Sequence, residues 1–100
     1  RQTIALMKDG AIVVNTARGG LIDDAALIDA LRSGKLRAAG LDSFQTEPLT
    51  GAHHWRDVPN VVLSPHIGGV TADAYVAMGV GAATNILDVL AQHNTTGAVA

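Results

Sequence analysis

"AIVVNTARGGLIDDAALIDALRSGKLRAAGLD", residues 11–42, contains the change of period that decides the fold class. Ala11 to Asn15 is a short run with β-branched residues and no charge. It suits a strand of a parallel sheet covered on both faces. From Asp23 the spacing becomes helical, with Asp23 as a good N-cap, Leu27 and Leu31 one turn apart, and Gly34 at the stop. "AAGLD", 38–42, is apolar again and reads as a second strand. A strand, a helix and a strand within about thirty residues predict a parallel pair with a right-handed crossover.

The same alternation continues on both sides. Thr3 to Lys8 reads as the tail of a helix closed by Asp9-Gly10. Ser43 to Asn60 is predicted as a loop, punctuated by Pro48, Gly51 and Pro59. "VVLS", 61–64, is a third strand stopped by Pro65, and a long helix is predicted from its N-cap Thr71 to about Gln92. That helix carries two adjacent apolar stripes, one through Val76, Val80 and Leu87, the other through Tyr75, Ile86 and Val89. So wide an apolar face predicts packing against the sheet and against something else, a further domain or subunit. The order is thus α-β-α-β-loop-β-α, an α/β fold that resembles half of a doubly wound domain. Residues 1–92 are read as that half-domain and 93–100 as a loosely ordered tail.

Composition narrows the function classes. Of 100 residues 48% are hydrophobic and 16% charged, and Phe44, Trp55 and Tyr75 are the only aromatics, so an aliphatic core is expected. Net charge is −2 with the seven basic residues scattered, which argues against a nucleic-acid partner. No apolar stretch approaches the roughly 20 residues of a membrane span, and no signal-peptide pattern opens the chain. Without cysteine there is neither disulfide nor thiolate chemistry, and a cytoplasmic setting is the default.

Ligands of open α/β sheets lie at the carboxyl ends of the strands. There the first strand releases Thr16, Ala17 and Arg18, the second Asp42 and then Glu47, the third His66 and the Gly68-Gly69 pair. Each residue has a plain alternative. Arg18 alone reads as a surface charge, Asp42 as a turn former, Glu47 as a loop cap, and His66 as a satisfied loop histidine. Four such coincidences on one sheet edge are a poor explanation. An arginine fork suits a carboxylate, and a histidine beside a glutamate suits reversible proton transfer with a carbonyl and its alcohol. That combination fits interconversion of a 2-hydroxy and a 2-oxo acid, given a hydride carrier. No metal set is expected: His53, His54 and His66 lack metal-binding spacing, and Ser64 lacks the G-x-S-x-G elbow of a hydrolase.

"MKDGAIVVNTARGGLIDDAALIDAL", "AAGLDSFQTEP" and "NVVLSPHIGGVT" resemble, in order and spacing, three motifs of the NAD-dependent D-2-hydroxyacid dehydrogenases, a family that includes phosphoglycerate dehydrogenase. The resemblance implies the second half of a Rossmann-like NAD-binding domain, part of a larger two-domain enzyme. It implies catalytic roles for Arg18 on the substrate carboxylate, Glu47 orienting the imidazole, and His66 as proton donor and acceptor. It implies cofactor contacts from Thr16, Ala17, Arg18, Asp42, His66, Ile67, Gly68 and Gly69, with Asp42 on the nicotinamide carboxamide. NAD is the family's default coenzyme, with NADP open, and the partners implied are a small 2-hydroxy or 2-oxo acid and a second copy of the intact chain. The family's G-x-G-x-x-G fingerprint is not in these residues, and "GVGAAT", 79–84, does not replace it. The isolated 100 residues are therefore expected not to turn over substrate. Two alternatives remain: an NAD-sensing, co-repressor-like interaction protein of the same family, and a catalytically inactive truncated half-domain.

Overall fold

The computed structural model describes residues 2–91. The chain divides into two compact units, one running to Gly68 and the other starting at Gly69. The first holds α1 (Gln2–Leu6), β1 (Ala11–Asn15), a short 3-10 turn (Gly19–Leu21), α2 (Asp24–Arg32), β2 (Leu36–Leu41) and β3 (Val61–Leu63). The second holds α3 (Ala72–Leu90). Residues 93–100, read from sequence as a tail, lie outside the described residues, as does the predicted last helical residue Gln92.

Each boundary has a local cause. Asp23 accepts a hydrogen bond from the Ala26 amide at 3.0 Å, the expected cap of α2, and Asp24 and Arg32 complement the helix dipole at its two ends. Gly34 follows the helix at φ +77°, a left-handed conformation that glycine adopts freely. Thr71 caps α3 in the same way, accepting from the Ala74 amide at 3.0 Å.

The three strands form one parallel sheet in the order β1-β2-β3. Ala11 pairs with Leu36, the register shifts by one residue, and from there it runs to Asn15 opposite Leu41 and Leu41 opposite Leu63. The last residues of all three strands therefore share one row. The backbone continues that row: the Asp42 amide donates to Asn15 and the Ser64 amide to Leu41, each at 2.9 Å.

One face of the sheet is covered by α2, which buries Leu27, Ile28 and Leu31 against Leu36, Ala39 and Leu41. The expectation of strands covered on both faces is not met. Ile12, Val14 and Val62 point to the opposite face and are 53%, 69% and 73% exposed. A single crossover helix carries a single apolar stripe, so it covers a single face. The buried core is aliphatic as expected, with one exception. Trp55, delivered by the long 43–60 loop, is among the largest fully buried side chains and packs in the same cluster as Leu27 and Leu36. That loop takes the place of a second crossover helix between β2 and β3, and its Trp55 and Val58 supply the buried surface such a helix would bring.

Candidate active site

β1 ends in a buried asparagine that shapes the loop beyond it. Asn15 Nδ2 donates to the Arg18 carbonyl at 2.9 Å, and its Oδ1 accepts from the Ala17 amide at 3.1 Å. A side chain that bonds the backbone two and three residues on makes a tight turn without regular structure. Thr16, Ala17 and Arg18 are thereby held exposed at the carboxyl edge of the sheet. The Arg18 guanidinium folds over its own loop and donates from Nη1 to the Ala17 carbonyl at 2.6 Å. Gly19 is buried beneath it, because a Cβ there would overlap the backbone of Phe44 and Gln45. The arginine loop and the loop that carries Glu47 are therefore in backbone contact.

Glu47 uses its two oxygens for two purposes. Oε1 accepts the Phe44 amide at 2.8 Å and Oε2 accepts the Nδ1–H of His66 at 2.7 Å. Glu47 thus bonds both the backbone of its own loop and the His66 ring. The Phe44 amide is the main cause of a Glu47 carboxyl held below its ordinary range, followed by the His66 hydrogen bond, with the Arg18 charge a smaller contribution. An ionised carboxylate can only accept, so the shared proton sits on Nδ1 and Nε2 is left for exchange with a ligand. The two side chains are 34% and 41% exposed, so the pair is open to solvent on one side. Beside it lies a cavity of about 550 Å³, walled by Phe44, Pro48, Leu49, Leu63 and Pro65, with Glu47, His53, Ser64 and His66 as its polar members.

Asp42 is 5% exposed and accepts three hydrogen bonds. Oδ1 takes the Ser64 hydroxyl at 2.5 Å and the Ile67 amide at 3.0 Å, and Oδ2 takes the Gly68 amide at 2.8 Å. These donors, Ser64 first, hold its carboxyl below the ordinary aspartate range. A carboxylate has about four acceptor positions, so one remains, on Oδ2. A primary carboxamide is a donor of the kind that position takes, and in this respect the residues fit a nicotinamide.

Among the expected site residues, the structure joins Glu47 to His66 and Asp42 to the 67–68 backbone, with Thr16, Ala17 and Arg18 at the same edge. Gly69 opens the second unit, and no atom lies within 4 Å of where its Cβ would be. Ser64 does not point to hydrolase chemistry, since its hydroxyl donates to Asp42. Of the two histidines expected on a solvated loop, only His54 is exposed. His54 Nε2 bonds Asp24 at 2.8 Å, while His53 is half-buried and its Nδ1 lacks a hydrogen-bond partner. Among the described residues no group of three or more ligating side chains is placed to hold a metal. Asn15, Gly19 and Ser64 were not singled out by their sequence for the parts they play. Only Asn15, a turn former at a strand exit, carries a local signal for it.

The model of one family, described as D-isomer specific 2-hydroxyacid dehydrogenase, NAD binding domain, matches residues 1–68. A D-3-phosphoglycerate dehydrogenase of Mycobacterium leprae is 46% identical over 86 residues, which are 86% of this chain and 16% of that protein. A hydroxypyruvate reductase of Thermotoga maritima is 51% identical over 82 residues, 80% of this chain and 27% of that one. Among solved structures, a D-isomer specific 2-hydroxyacid dehydrogenase from Xanthobacter autotrophicus Py2, in complex with NADPH and MES, superposes with a TM-score of 0.81. It is 33% identical over 99% of this chain and 40% of that one. The chain thus spans about a sixth to a quarter of the curated relatives it matches.

Proposed function

The chain belongs to the D-isomer specific 2-hydroxyacid dehydrogenases, in their NAD-binding domain, and on that premise we propose that it carries the catalytic edge of an NAD-dependent oxidoreductase. The reaction is the interconversion of a D-2-hydroxy acid and its 2-oxo acid. The observation that carries this reading is the 2.7 Å hydrogen bond from His66 Nδ1 to an ionised Glu47, which leaves Nε2 as the exchangeable position.

In the direction of reduction, the Arg18 fork binds the substrate carboxylate. His66 gives its Nε2 proton to the carbonyl oxygen as that oxygen becomes a hydroxyl. Glu47 keeps the ring in one orientation through its bond to Nδ1. In oxidation the same nitrogen takes the proton back. NAD(H), when bound, supplies or accepts the hydride. The spare acceptor on Asp42 and the exposed Thr16, Ala17 and Arg18 loop are the groups assigned to hold it, with the backbone of His66, Ile67 and Gly68 beside them. Residues 1–92 are read as the second half of the cofactor domain. The exposed apolar side chains of α3, Val76, Val80 and Leu87 among them, support a homodimer of the whole protein, which sedimentation velocity tests.

The full-length gene product, assayed by NADH oxidation against a panel of 2-oxo acids, should be active. His66→Ala should lower kcat by about 100-fold or more while NADH binding, read by fluorescence, persists. Arg18→Ala should raise KM for the oxo acid as well as lower turnover. Equal activity of His66→Ala and wild type would overturn the assignment.

A further inference from the structure

His66 stands in a backbone conformation that a residue with a side chain rarely adopts. Its φ is +57°, in the left-handed region, where the Cβ crowds the backbone. Such a conformation persists only where its surroundings impose it. On the amino side, Pro65 has its φ limited by its ring. On the carboxyl side, the amides of Ile67 and Gly68 both donate to Asp42, at 3.0 and 2.8 Å, so one carboxylate grips the two peptides that follow the histidine.

That grip depends on the orientation of the Asp42 side chain. Ser64 Oγ donates to Asp42 Oδ1 at 2.5 Å, and the two residues are also tied through the sheet, where Asp42 N bonds Asn15 and Ser64 N bonds Leu41. Residue 68 must come close for this: a Cβ there would lie 2.9 Å from Oδ2, a contact that glycine avoids. A hydroxyl at 64, one residue beyond β3 and tied by its amide to Leu41, therefore aims a buried carboxylate at the backbone behind the imidazole.

We infer that Ser64 is a positioning residue for His66, its hydroxyl orienting the Asp42 carboxylate that holds His66 in its left-handed conformation with Nδ1 directed at Glu47. The meaning of this for catalysis rests on the dehydrogenase reading above, but the geometry is independent of turnover and is measured without substrate or cofactor.

The experiment is NMR on the full-length protein, without substrate or cofactor, at neutral pH, comparing wild type with Ser64→Ala and Ser64→Thr. The readouts are amide hydrogen exchange at Ile67 and Gly68 and the ¹⁵N shifts of the His66 ring, which report its tautomer. Ser64→Ala should speed exchange at both amides by about tenfold or more and convert a single Nδ1–H tautomer into a mixture, whereas Ser64→Thr, which keeps the hydroxyl, should hold wild-type values. Wild-type exchange and tautomer in Ser64→Ala would overturn the inference, as would equal loss in both variants. Should Ser64→Ala not fold by circular dichroism, the wild type decides. A slowly exchanging Ser64 hydroxyl proton with a cross-peak to the Ile67 amide supports the clasp, and its absence overturns it. Inactivity of the full-length protein towards 2-oxo acids would remove the dehydrogenase reading and leave these readouts unchanged.

Discussion

Gly19 and Gly20 are adjacent in sequence and opposite in consequence. A Cβ on Gly19 would overlap the Phe44 carbonyl group and the Gln45 amide, and backbone atoms cannot swing aside as a side chain tip does. Nothing lies within 4 Å of a Cβ on Gly20. Gly19→Ala should therefore destabilise by about 1–3 kcal/mol or more through overpacking, with Gly20→Ala close to neutral, both read by urea denaturation. Equal effects would mean that the two loops do not touch as described. Asp42 makes a prediction in pH. Its carboxyl is held below the ordinary range, chiefly by Ser64 and then by the Ile67 and Gly68 amides. A depressed folded-state value contributes stability that is full above the unfolded value, about 3.9, and is lost as pH falls through the folded one. The penalty of Asp42→Asn should thus be constant from pH 5 to 8 and shrink below about pH 4 in denaturant melts. A penalty unchanged at pH 3 would sever the link between that carboxylate's charge and stability. Asp42 was visible in the sequence as a residue at a strand exit, and Gly19 and Gly20 only as neighbours alike in kind. Which glycine is irreplaceable, and what the aspartate holds, depends on atoms more than twenty residues away.

At the scale of elements, α2 is the piece whose reading was most complete. Its cap, its apolar spacing and its glycine stop are all contacts within a few residues, so Asp23, Leu27, Leu31 and Gly34 announce it. Asp23→Ala should cost about 1 kcal/mol, measured by thermal or urea unfolding, since it leaves the Ala26 amide without its acceptor. The strands were legible as elements and only partly in their setting. β1 begins and ends where its apolar run does, while β2 starts at Leu36, two residues before "AAGLD", because pairing with Ala11 extends it. Unbroken apolar runs also suggested cover on both faces. Period alone does not say whether a second layer is present, and Ile12 and Val14 remain open here.

For the molecule as a whole, the 43–60 loop decides more than its composition suggests. It carries Glu47 to His66 at one end and buries Trp55 in the core at the other. Trp55→Ala should destabilise the chain by about 3–5 kcal/mol, more than a typical exposed change, and urea denaturation of the two forms checks it. A loss under about 1 kcal/mol would place the loop outside the cooperative core. The described residues contain no helix long and apolar enough to cross a membrane, and α3 leaves none of its residues buried. What the sequence determined by itself was the α/β class, the order of elements and the convergence of Arg18, Glu47 and His66 on one edge, because strand direction and element ends are set by local pattern. What only the tertiary structure decided was the clasp of Ser64 and Asp42 behind His66, the contact beneath Gly19 and the burial of Trp55. Those contacts join segments brought together by the sheet register, and no local spacing encodes a partner that far along the chain.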